Sequence, residues 1–315
     1  MRLFILFIVF QMTAGVVFSQ HFNSHFDREY FQKQRFAHRG GFANGPENTL
    51  QTITNNVRNG INAIEVDVHL TKDDQLVLFH DDTIHRLLDT EAKTLITEMT
   101  LAEIKAIPLR DSSQGVQYVC TLSELVDTLG AMIPELDAEG FLLELDFKPN
   151  GESMTRGVDA LFALLKPRLE QFGEGLYDYF FVSSFFPGVL KEIEKRDPKI
   201  VKAYAINHAP PYKKFKAKIG VFLAPIIVKR MSAEIIEPNL CMVSERFVKK
   251  WGASKRDKLI NTYTANTKGE KDYLHQFQIA YTTDCPNDCC LHDPNDPYII
   301  PTRWCKDCDD CKDCK

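Results

Sequence analysis

The sequence has no long basic segment and, after its first twenty residues, no apolar run long enough to cross a membrane. Its 38 Lys and Arg residues and 43 Asp and Glu residues are interspersed and give a formal net charge of −5. Because a basic stripe is typical of nucleic-acid binding, its absence argues against a nucleic-acid partner. The longest later apolar segment, residues 219–228, contains Pro225. We therefore expect a mature chain without a transmembrane segment and without a nucleic-acid partner.

The first twenty residues differ from the rest of the chain. Arg2 precedes two apolar stretches, residues 3–10 and 14–18, and Ser19 follows them. This pattern is typical of a secretory signal peptide. We predict that residues 1–19 are removed and that the mature protein is secreted or lies in the lumen of the secretory pathway. An uncleaved membrane anchor is the alternative, although polar residues interrupt the apolar run.

Cysteine is scarce in most of the chain and concentrated at its C-terminal end. Seven of the nine cysteines lie there: Cys285, Cys289, Cys290, Cys305, Cys308, Cys311 and Cys314. In an exported protein this density predicts disulfide bonds, centred on a cysteine-rich tail at residues 287–315. The last four cysteines recur at every third position, a spacing that also resembles a zinc or cluster site. Because the total is odd, one thiol is left over, and Cys120 or Cys241 is the expected buried spare.

Apolar periodicity predicts strands and helices that alternate between residues 35 and 283. Nine segments are predicted strands: 35–38, 63–70, 75–80, 141–147, 180–184, 200–205, 235–238, 259–264 and 279–283. Such alternation is typical of a parallel sheet covered by helices, and this strand number predicts an α/β fold, a closed (β/α)8 TIM barrel. An open doubly wound sheet is the competing architecture, but no Gly-rich dinucleotide-binding loop follows the first strand. The pattern leaves open which segment lies outside a barrel.

Acidic and apolar side chains alternate in the second predicted strand. Glu65 and Asp67 are two residues apart, so they point to the same face of the strand. Two adjacent buried carboxylates repel each other, whereas a hard divalent cation stabilises both in the charged form. Asp146, at the end of a later predicted strand, is a candidate third ligand. The pattern predicts a site for Mg²⁺ or Ca²⁺, and a solvent-facing polar strand edge is the alternative.

Two histidines and two cationic side chains follow the ends of predicted strands. His38 ends the first strand and His80 ends the third, and two imidazoles can supply a general base and a general acid. Arg39 can bind a phosphate through two parallel hydrogen bonds. Lys148 can stabilise negative charge on phosphoryl oxygens. Together with the acids, these groups predict a metal-assisted attack on a phosphodiester.

An ordered series of motifs in this chain resembles the glycerophosphodiester phosphodiesterase family. The motifs are Ala37-His38-Arg39-Gly40-Gly41, Pro46-Glu47-Asn48-Thr49, Glu65-Val66-Asp67-Val68, Phe79-His80-Asp81-Asp82-Thr83 with Arg86, Asp146-Phe147-Lys148, Ser184-Phe185, Tyr263-Thr264-Ala265-Asn266 and Thr283-Asp284-Cys285-Pro286. The series covers roughly residues 35–286. A single His-Arg-Gly would be a weak signal, but the ordered series is specific.

This resemblance implies a TIM barrel within residues 20–286, with a small inserted subdomain, about 82–120, after the third strand. It implies hydrolysis of a glycerophosphodiester to glycerol 3-phosphate and an alcohol with one divalent cation. It also assigns the site residues: His38 and His80 as the acid–base pair, Glu65, Asp67 and Asp146 as metal ligands, and Arg39 and Lys148 as phosphate-binding groups. Many members of the family have Glu at the position of Asp146 and Trp at that of Tyr263.

Two residues next to the first motif are assigned structural roles. Asn48 is the predicted N-cap of a helix over residues 49–59, and Glu47 is a predicted hydrogen-bond acceptor at the rim of the site.

Two other functions compete with this prediction. One is a lysophospholipase D that acts on lysophospholipids, with apolar residues of the insertion around an acyl chain; the same residues would also suit the core of the insertion. These residues are Ile96, Met99, Leu101, Ile104, Ile107 and Leu109. The other is a catalytically inactive binding or interaction protein that presents the cysteine-rich tail. The sequence leaves open the alcohol of the substrate, and attack by a neighbouring hydroxyl or by water.

Overall fold

A computed structural model of the 315-residue chain describes residues 26–132, 140–207, 225–226, 228–252 and 256–286. The strands in these ranges are β1 (Arg35–Ala37), β2 (Ala63–Leu70), β3 (Leu76–Leu78), β4 (Leu142–Phe147), β5 (Phe180–Ser184), β6 (Val201–Ile206), β7 (Ile235–Pro238), β8 (Leu259–Thr262) and β9 (Ala280–Thr283). The helices are α1 (Arg28–Phe31), α2 (Leu50–Arg58), α3 (Leu101–Lys105), α4 (Leu122–Ala131), α5 (Ser153–Phe172), α6 (Pro187–Arg196), α7 (Glu245–Trp251) and α8 (Lys268–His275).

Eight of these strands form a closed parallel barrel. Strands β1, β2 and β4 to β9 pair in parallel with their neighbours, and β1 closes the ring by pairing with both β9 and β2. The prediction of a (β/α)8 TIM barrel is confirmed, and the competing open sheet is wrong. Strand β3 lies outside the barrel and pairs antiparallel with β2. The connection between β2 and β3 is too short for the crossover that a parallel pair needs, so the chain folds back as a hairpin.

The barrel interior is apolar near the N-terminal ends of the strands and polar near their C-terminal ends. Phe31, Phe36 and Phe181 pack together at one end, with ring centroids 5.6 to 6.1 Å apart. Along β2, Ile64, Val66 and Val68 face the core that is shared with the helices. Glu65 and Asp67 alternate with these residues and therefore face the interior of the barrel. This arrangement concentrates charge at the mouth of the barrel, the face that carries the active sites of TIM-barrel enzymes.

Helix α2 begins one residue later than the sequence predicts. Thr49 has an extended backbone and is the N-cap, since its side chain accepts a hydrogen bond from the backbone N–H of Thr52 at 3.2 Å. The prediction that Asn48 caps this helix is therefore wrong. Asn48 instead adopts a left-handed backbone with φ of 56°, and its side chain contacts Asp67.

The segment between β3 and α4 has a small core of its own. The buried apolar residues of this core are Val77 of β3 together with Phe79, Ile84, Leu88, Ile96, Ile104, Leu109 and Val119. Met99, Leu101 and Ile107 pack against them. The apolar residues that an acyl-chain site in the insertion would require are thus used in internal packing. The segment also contacts the loop after β1 through a hydrogen bond that Gln114 Nε2 donates to the Asn44 carbonyl oxygen at 2.5 Å.

Other predictions concern the membrane and the cysteines. None of the helices in the described ranges combines the length and the apolar composition that crossing a membrane requires. Cys120 has a free, buried thiol whose pKa burial raises to about 12, in agreement with its prediction as a spare cysteine. The signal peptide at residues 1–19 and the tail at residues 287–315 lie outside the described residues, so both stay predictions.

Candidate active site

Glu65 and Asp67 of β2 meet Asp146 of β4 at the mouth of the barrel. Strands β2 and β4 pair with Asp67 directly beside Asp146. Each of the three carboxylates offers one oxygen, and these oxygens lie within 4.8 Å of one another. Glu65 and Asp67 are only 3% and 1% exposed. The structure therefore brings together the three residues that the sequence predicts as metal ligands.

Lys148 lies among these acids. Its Nζ is 2.8 Å from Asp67 Oδ1 and 2.5 Å from Asp146 Oδ2. Burial lowers the pKa of this ammonium, but Asp146 and Asp67 outweigh burial and hold the pKa above its ordinary value. Burial likewise raises the pKa of Asp67, but Lys148, His80, Arg39 and His38 outweigh it and lower the pKa. Lys148 and Asp67 therefore form a buried ion pair.

Glu65 and Asp146 show that the cluster suits a cation. Burial, reinforced by Asp67 and Asp146, raises the pKa of Glu65 well above its ordinary value. Asp146 Oδ1 is buried and accepts no hydrogen bond from the described residues. A hard divalent cation would satisfy this oxygen and let Glu65 ionise, because Mg²⁺ and Ca²⁺ prefer carboxylate oxygens. The residues present fit the cation that the sequence predicts.

The turn after β1 directs Arg39 toward the cluster. Arg39 has a left-handed backbone with φ of 52°, and its N–H donates to Glu65 Oε2 at 2.6 Å. Its Nε lies 3.6 Å from Asp67 Oδ2 and makes no hydrogen bond within the described part of the chain. Gly40 also has a positive φ, and a Cβ there would lie 2.6 Å from Ile53 Cγ1, so this turn requires glycine. The turn thus places the Arg39 guanidinium beside Asp67 of the carboxylate cluster.

His38 is held by two residues from the last part of the barrel. Its Nδ1 lies 2.6 Å from Oδ1 of Asp284, which follows β9. Asn266 Nδ2 donates to Asp284 Oδ2 at 2.6 Å, and the backbone N–H of Asp284 donates back to Asn266 Oδ1 at 2.9 Å. We call Asp284 and Asn266 the barrel anchor. Because an ionised carboxylate can only accept, the proton of a neutral His38 lies on Nδ1 and Nε2 stays free for proton transfer.

His80 is held by a charged group instead. Its Nδ1 lies 2.7 Å from Asp81 Oδ1, and Arg86 donates to both oxygens of Asp81. Burial raises the pKa of Asp81, but the hydrogen bonds from His80 and Arg86 outweigh burial and lower it. We call Asp81 and Arg86 the insertion anchor, since Arg86 lies in the segment between β3 and α4 that is predicted to be an insertion. This anchor also leaves Nε2 of His80 free.

The sequence analysis included Asn48, Asp81 and Asp284 in the family motifs but gave them no catalytic or binding role. Asn48 Nδ2 donates to Asp67 Oδ2 at 2.8 Å, and the Asp67 N–H donates to Asn48 Oδ1 at 3.1 Å. Each directly follows another polar residue: Asn48 follows Glu47 just before α2, Asp81 follows His80 after β3, and Asp284 follows Thr283 at the end of β9. Clusters of polar residues at such positions were the signal that could have identified them.

A second pair of acids in the barrel was missed altogether. Glu144, two residues before Asp146 on β4, and Glu237 of β7 share the amide of Asn261, whose Nδ2 donates to both at 3.0 and 3.2 Å. Burial raises the pKa of Glu237 to about 7, although Ser183 and Asn261 bond to it. Burial and Glu237 also raise the pKa of Glu144 well above its ordinary value. This pair binds protons more tightly than ordinary carboxylates do.

Aromatic side chains surround the cationic groups. The Phe185 ring centroid lies 6.0 Å from Lys148 Nζ and 5.7 Å from the ring of Tyr263. The Tyr263 hydroxyl donates to the Ile206 carbonyl oxygen at 2.8 Å, which fixes this ring at the mouth. Phe42 lies 5.9 Å from the Arg39 guanidinium. Charges at the mouth are therefore flanked by apolar surface, which strengthens their interactions.

Comparisons with known proteins agree with this geometry. Glycerophosphodiester phosphodiesterase 1 of Rattus norvegicus is 27% identical over 278 residues, which cover 81% of this chain and 79% of the relative. The Bos taurus protein of the same name is 28% identical over 275 residues, 81% of this chain and 78% of the relative. A phosphodiesterase of Oleispira antarctica, solved in complex with the product sn-glycerol-3-phosphate, has the same fold. It matches with a TM-score of 0.64 and 21% identity over 80% of this chain and 93% of that one.

The family assignment follows from the extent of the match. Residues 38–286 match the Glycerophosphoryl diester phosphodiesterase family, a range that begins at His38 and includes every residue predicted for the site. The match confirms both the resemblance stated from the motifs and the prediction of an enzyme. This chain is a phosphoric diester hydrolase and belongs to the Glycerophosphoryl diester phosphodiesterase family.

Proposed function

We propose that this protein hydrolyses glycerophosphodiesters to glycerol 3-phosphate and an alcohol, with one divalent cation and a pair of histidines. The observation that carries the proposal is the cluster of three carboxylates whose oxygens lie within 4.8 Å of one another. The relatives support the substrate. The rat protein is named a glycerophosphodiester phosphodiesterase, and the Oleispira antarctica enzyme was solved with sn-glycerol-3-phosphate.

Five side chains bind the phosphate group and the cation in this proposal. Glu65, Asp67 and Asp146 would hold Mg²⁺ or Ca²⁺, and such a cation, when bound, supplies positive charge that polarises a phosphoryl oxygen. Arg39 binds the phosphate through its guanidinium, and Lys148 stabilises the negative charge that grows on the phosphoryl oxygens. The Arg39 guanidinium and the Lys148 ammonium are already held in place by the carboxylates of Glu47 and Asp67. Little reorganisation of these two groups is therefore required when the substrate reacts.

His38 and His80 carry the two proton transfers. One Nε2 accepts the proton of the attacking hydroxyl as the new P–O bond forms. The other donates a proton to the alkoxide that leaves as the old P–O bond breaks. Attack by a neighbouring glycerol hydroxyl forms a cyclic phosphate that water then opens, whereas attack by water gives the products directly. Both routes need two imidazoles that are fixed through Nδ1 and free at Nε2.

The test is a diesterase assay on glycerophosphocholine, glycerophosphoinositol and lysophosphatidylcholine with metal-stripped protein. We expect glycerodiester activity only when Mg²⁺ or Ca²⁺ is added. His38→Ala and His80→Ala should each lower kcat by about 10²–10⁴-fold, the usual range for loss of a general acid or base. His275→Ala is the matched control, since its imidazole contacts Arg35 near the start of β1.

Three results would contradict the proposal or part of it. Wild-type protein that is inactive on both glycerodiesters with either cation would overturn it. Full activity after chelation would overturn the role of the carboxylate cluster. A higher kcat/KM for lysophosphatidylcholine would assign the lysophospholipase D activity instead.

A further inference from the structure

Arg86 lies at the centre of a charged group that the proposed chemistry does not use. It belongs to a short 3₁₀ turn, Ile84–Arg86, at the start of the inserted segment. Its side chain is 18% exposed, and two carboxylates surround it, those of Asp81 and Glu47. An arginine buried to this degree between two acids has a fixed position, because its planar guanidinium meets each carboxylate through two donors.

The two carboxylates accept four hydrogen bonds from Arg86. Nη1 and Nη2 donate to the two oxygens of Glu47, both at 2.8 Å. Nε donates to Asp81 Oδ2, and Nη2 donates to Asp81 Oδ1 at 2.8 Å. The pKa of Glu47 is accordingly lowered, since bonds and charge from Arg86 and Arg39 outweigh burial, which raises it. Both acids are ionised at neutral pH, and Arg86 compensates their charges.

Each of the two acids also holds one residue of the proposed site. Asp81 Oδ1 lies 2.7 Å from His80 Nδ1, and Glu47 Oε1 accepts from Arg39 Nη1 at 3.0 Å. Arg86 is thus connected to His80 through Asp81 alone and to Arg39 through Glu47 alone. Without its charge, Glu47 and Asp81 would be two neighbouring, poorly solvated carboxylates with no shared cation, and their repulsion would move both.

We infer that Arg86 is a positioning residue that fixes His80 and Arg39 relative to each other, through Asp81 and Glu47. The inserted segment then sets the distance between proton transfer and phosphate binding, although neither His80 nor Arg39 lies within it. This inference rests on the proposed function, because it assumes that His80 and Arg39 act in the reaction.

The test compares two arginines of the same inserted segment. Arg86→Gln should lower kcat by about 10²-fold, since misplacing a reacting group by about 1 Å has an effect of this size. It should also raise KM for the glycerodiester severalfold, because Arg39 loses the support of Glu47. Arg110→Gln is the matched control. Arg110 donates to the carbonyl oxygens of His85 and Thr90 and to Glu91, all within the insertion, so kcat and KM should stay at the wild-type values.

Three further measurements separate positioning from a loss of folding. Arg86→Ala should regain part of its kcat when guanidinium is added at millimolar concentration, and Arg110→Ala should show no such response. Nitrogen NMR of the His80 ring should show the Nδ1–H tautomer in the wild type and a mixture of tautomers in Arg86→Gln. The effects of Arg86→Gln and Asp81→Asn on kcat should be strongly non-additive, since both changes break the same chain of contacts.

The outcomes also distinguish this inference from the proposed function. If His80→Ala is inactive while Arg86→Gln keeps the wild-type kcat, KM and His80 tautomer, the inference is wrong and the proposed function stands. Equal losses in Arg86→Gln and Arg110→Gln, without guanidinium rescue, would also overturn it, because they would indicate a general defect of the insertion. If His80→Ala keeps full activity, the proposed function itself fails.

Discussion

His38 and His80 both contact an aspartate through Nδ1, but different parts of the chain supply the two anchors. Asp284 of the barrel anchor follows the last strand and lies 246 positions along the chain from His38, which follows the first strand. In the insertion anchor, Asp81 is the next residue after His80, and Arg86 is five positions beyond Asp81. One histidine therefore depends on closure of the whole barrel, and the other depends on a local turn.

The chemistry of the two anchors differs as well. The neutral amide of Asn266 supports Asp284, whereas the guanidinium of Arg86 supports Asp81. Through Glu47, the insertion anchor also reaches Arg39, and the contacts of the barrel anchor lead to α8. The comparison shows that one site orients two histidines in different ways, one through a neutral amide and distant parts of the chain, the other through a guanidinium and neighbouring residues. Changes at each anchor should therefore have distinguishable effects on the reaction.

The largest difference is expected from replacing each aspartate. In Asp284→Asn and Asp81→Asn, the amide NH2 of the new asparagine faces the Nδ1–H of the imidazole. Because both groups are donors, the imidazole loses its preference for the Nδ1–H tautomer. By analogy with the aspartate of a serine-protease triad, kcat should fall by about 10²–10⁴-fold in both. KM should rise only in Asp81→Asn, since only this anchor is linked to Arg39. Steady-state kinetics on glycerophosphocholine measure the split, and an equal rise of KM in both variants would break the comparison.

Glu237, a buried barrel acid that belongs to neither anchor, should affect the pH dependence of folding stability. Burial raises the pKa of Glu237 to about 7, so its proton stabilises the folded state at low pH, and this stabilisation is lost as pH rises from about 4.5 to about 7. The loss is on the order of 3 kcal/mol. Glu237→Gln should remove this pH dependence from the free energy of unfolding, measured in urea at pH 5 and pH 8. An unchanged pH dependence in the variant would contradict the assignment to Glu237.

The smallest expected effect comes from two helix caps. Thr267 caps α8 in a capping box with Glu270, whose carboxylate also accepts from the backbone N–H of Asn266 in the barrel anchor. Thr121 caps α4 in the same way with Glu124. Thr267→Ala and Thr121→Ala should each destabilise the protein by about 1 kcal/mol. Only Thr267→Ala should also lower kcat, by severalfold, and thermal unfolding with parallel kinetics would show whether this difference exists.

Much of the fold and of the carboxylate cluster could be predicted from local patterns. Alternation in β2 placed Glu65 and Asp67 on one face, and parallel strands bring the end of β4 beside them, so Asp146 followed. The same argument would have found Glu144, which shares the inner face with Asp146. Periodicity could not show that β3 lies outside the barrel, but the short connection before it indicates a hairpin.

The barrel anchor needed information that local patterns do not contain. A closed barrel places the end of its last strand beside the end of its first, so Asp284 and His38 become neighbours only once closure is assumed. Asn48 posed a different difficulty, because its polar side chain suits both a helix cap and a contact with Asp67. Thr49 also suits the N-cap position and takes it in the structure. The contact with Asp67, which depends on tertiary structure, determines the position of Asn48.

Strand β1 is only three residues long, yet it closes the barrel by pairing with β9 and β2. During translation, His38 leaves the ribosome long before Asp284 has been synthesised. On the proposed function, a polypeptide that ends before β9 would lack Asp284 beside His38, although Asp81 still follows His80 in the chain. Such a chain is expected to lack diester hydrolysis until β9 has been added.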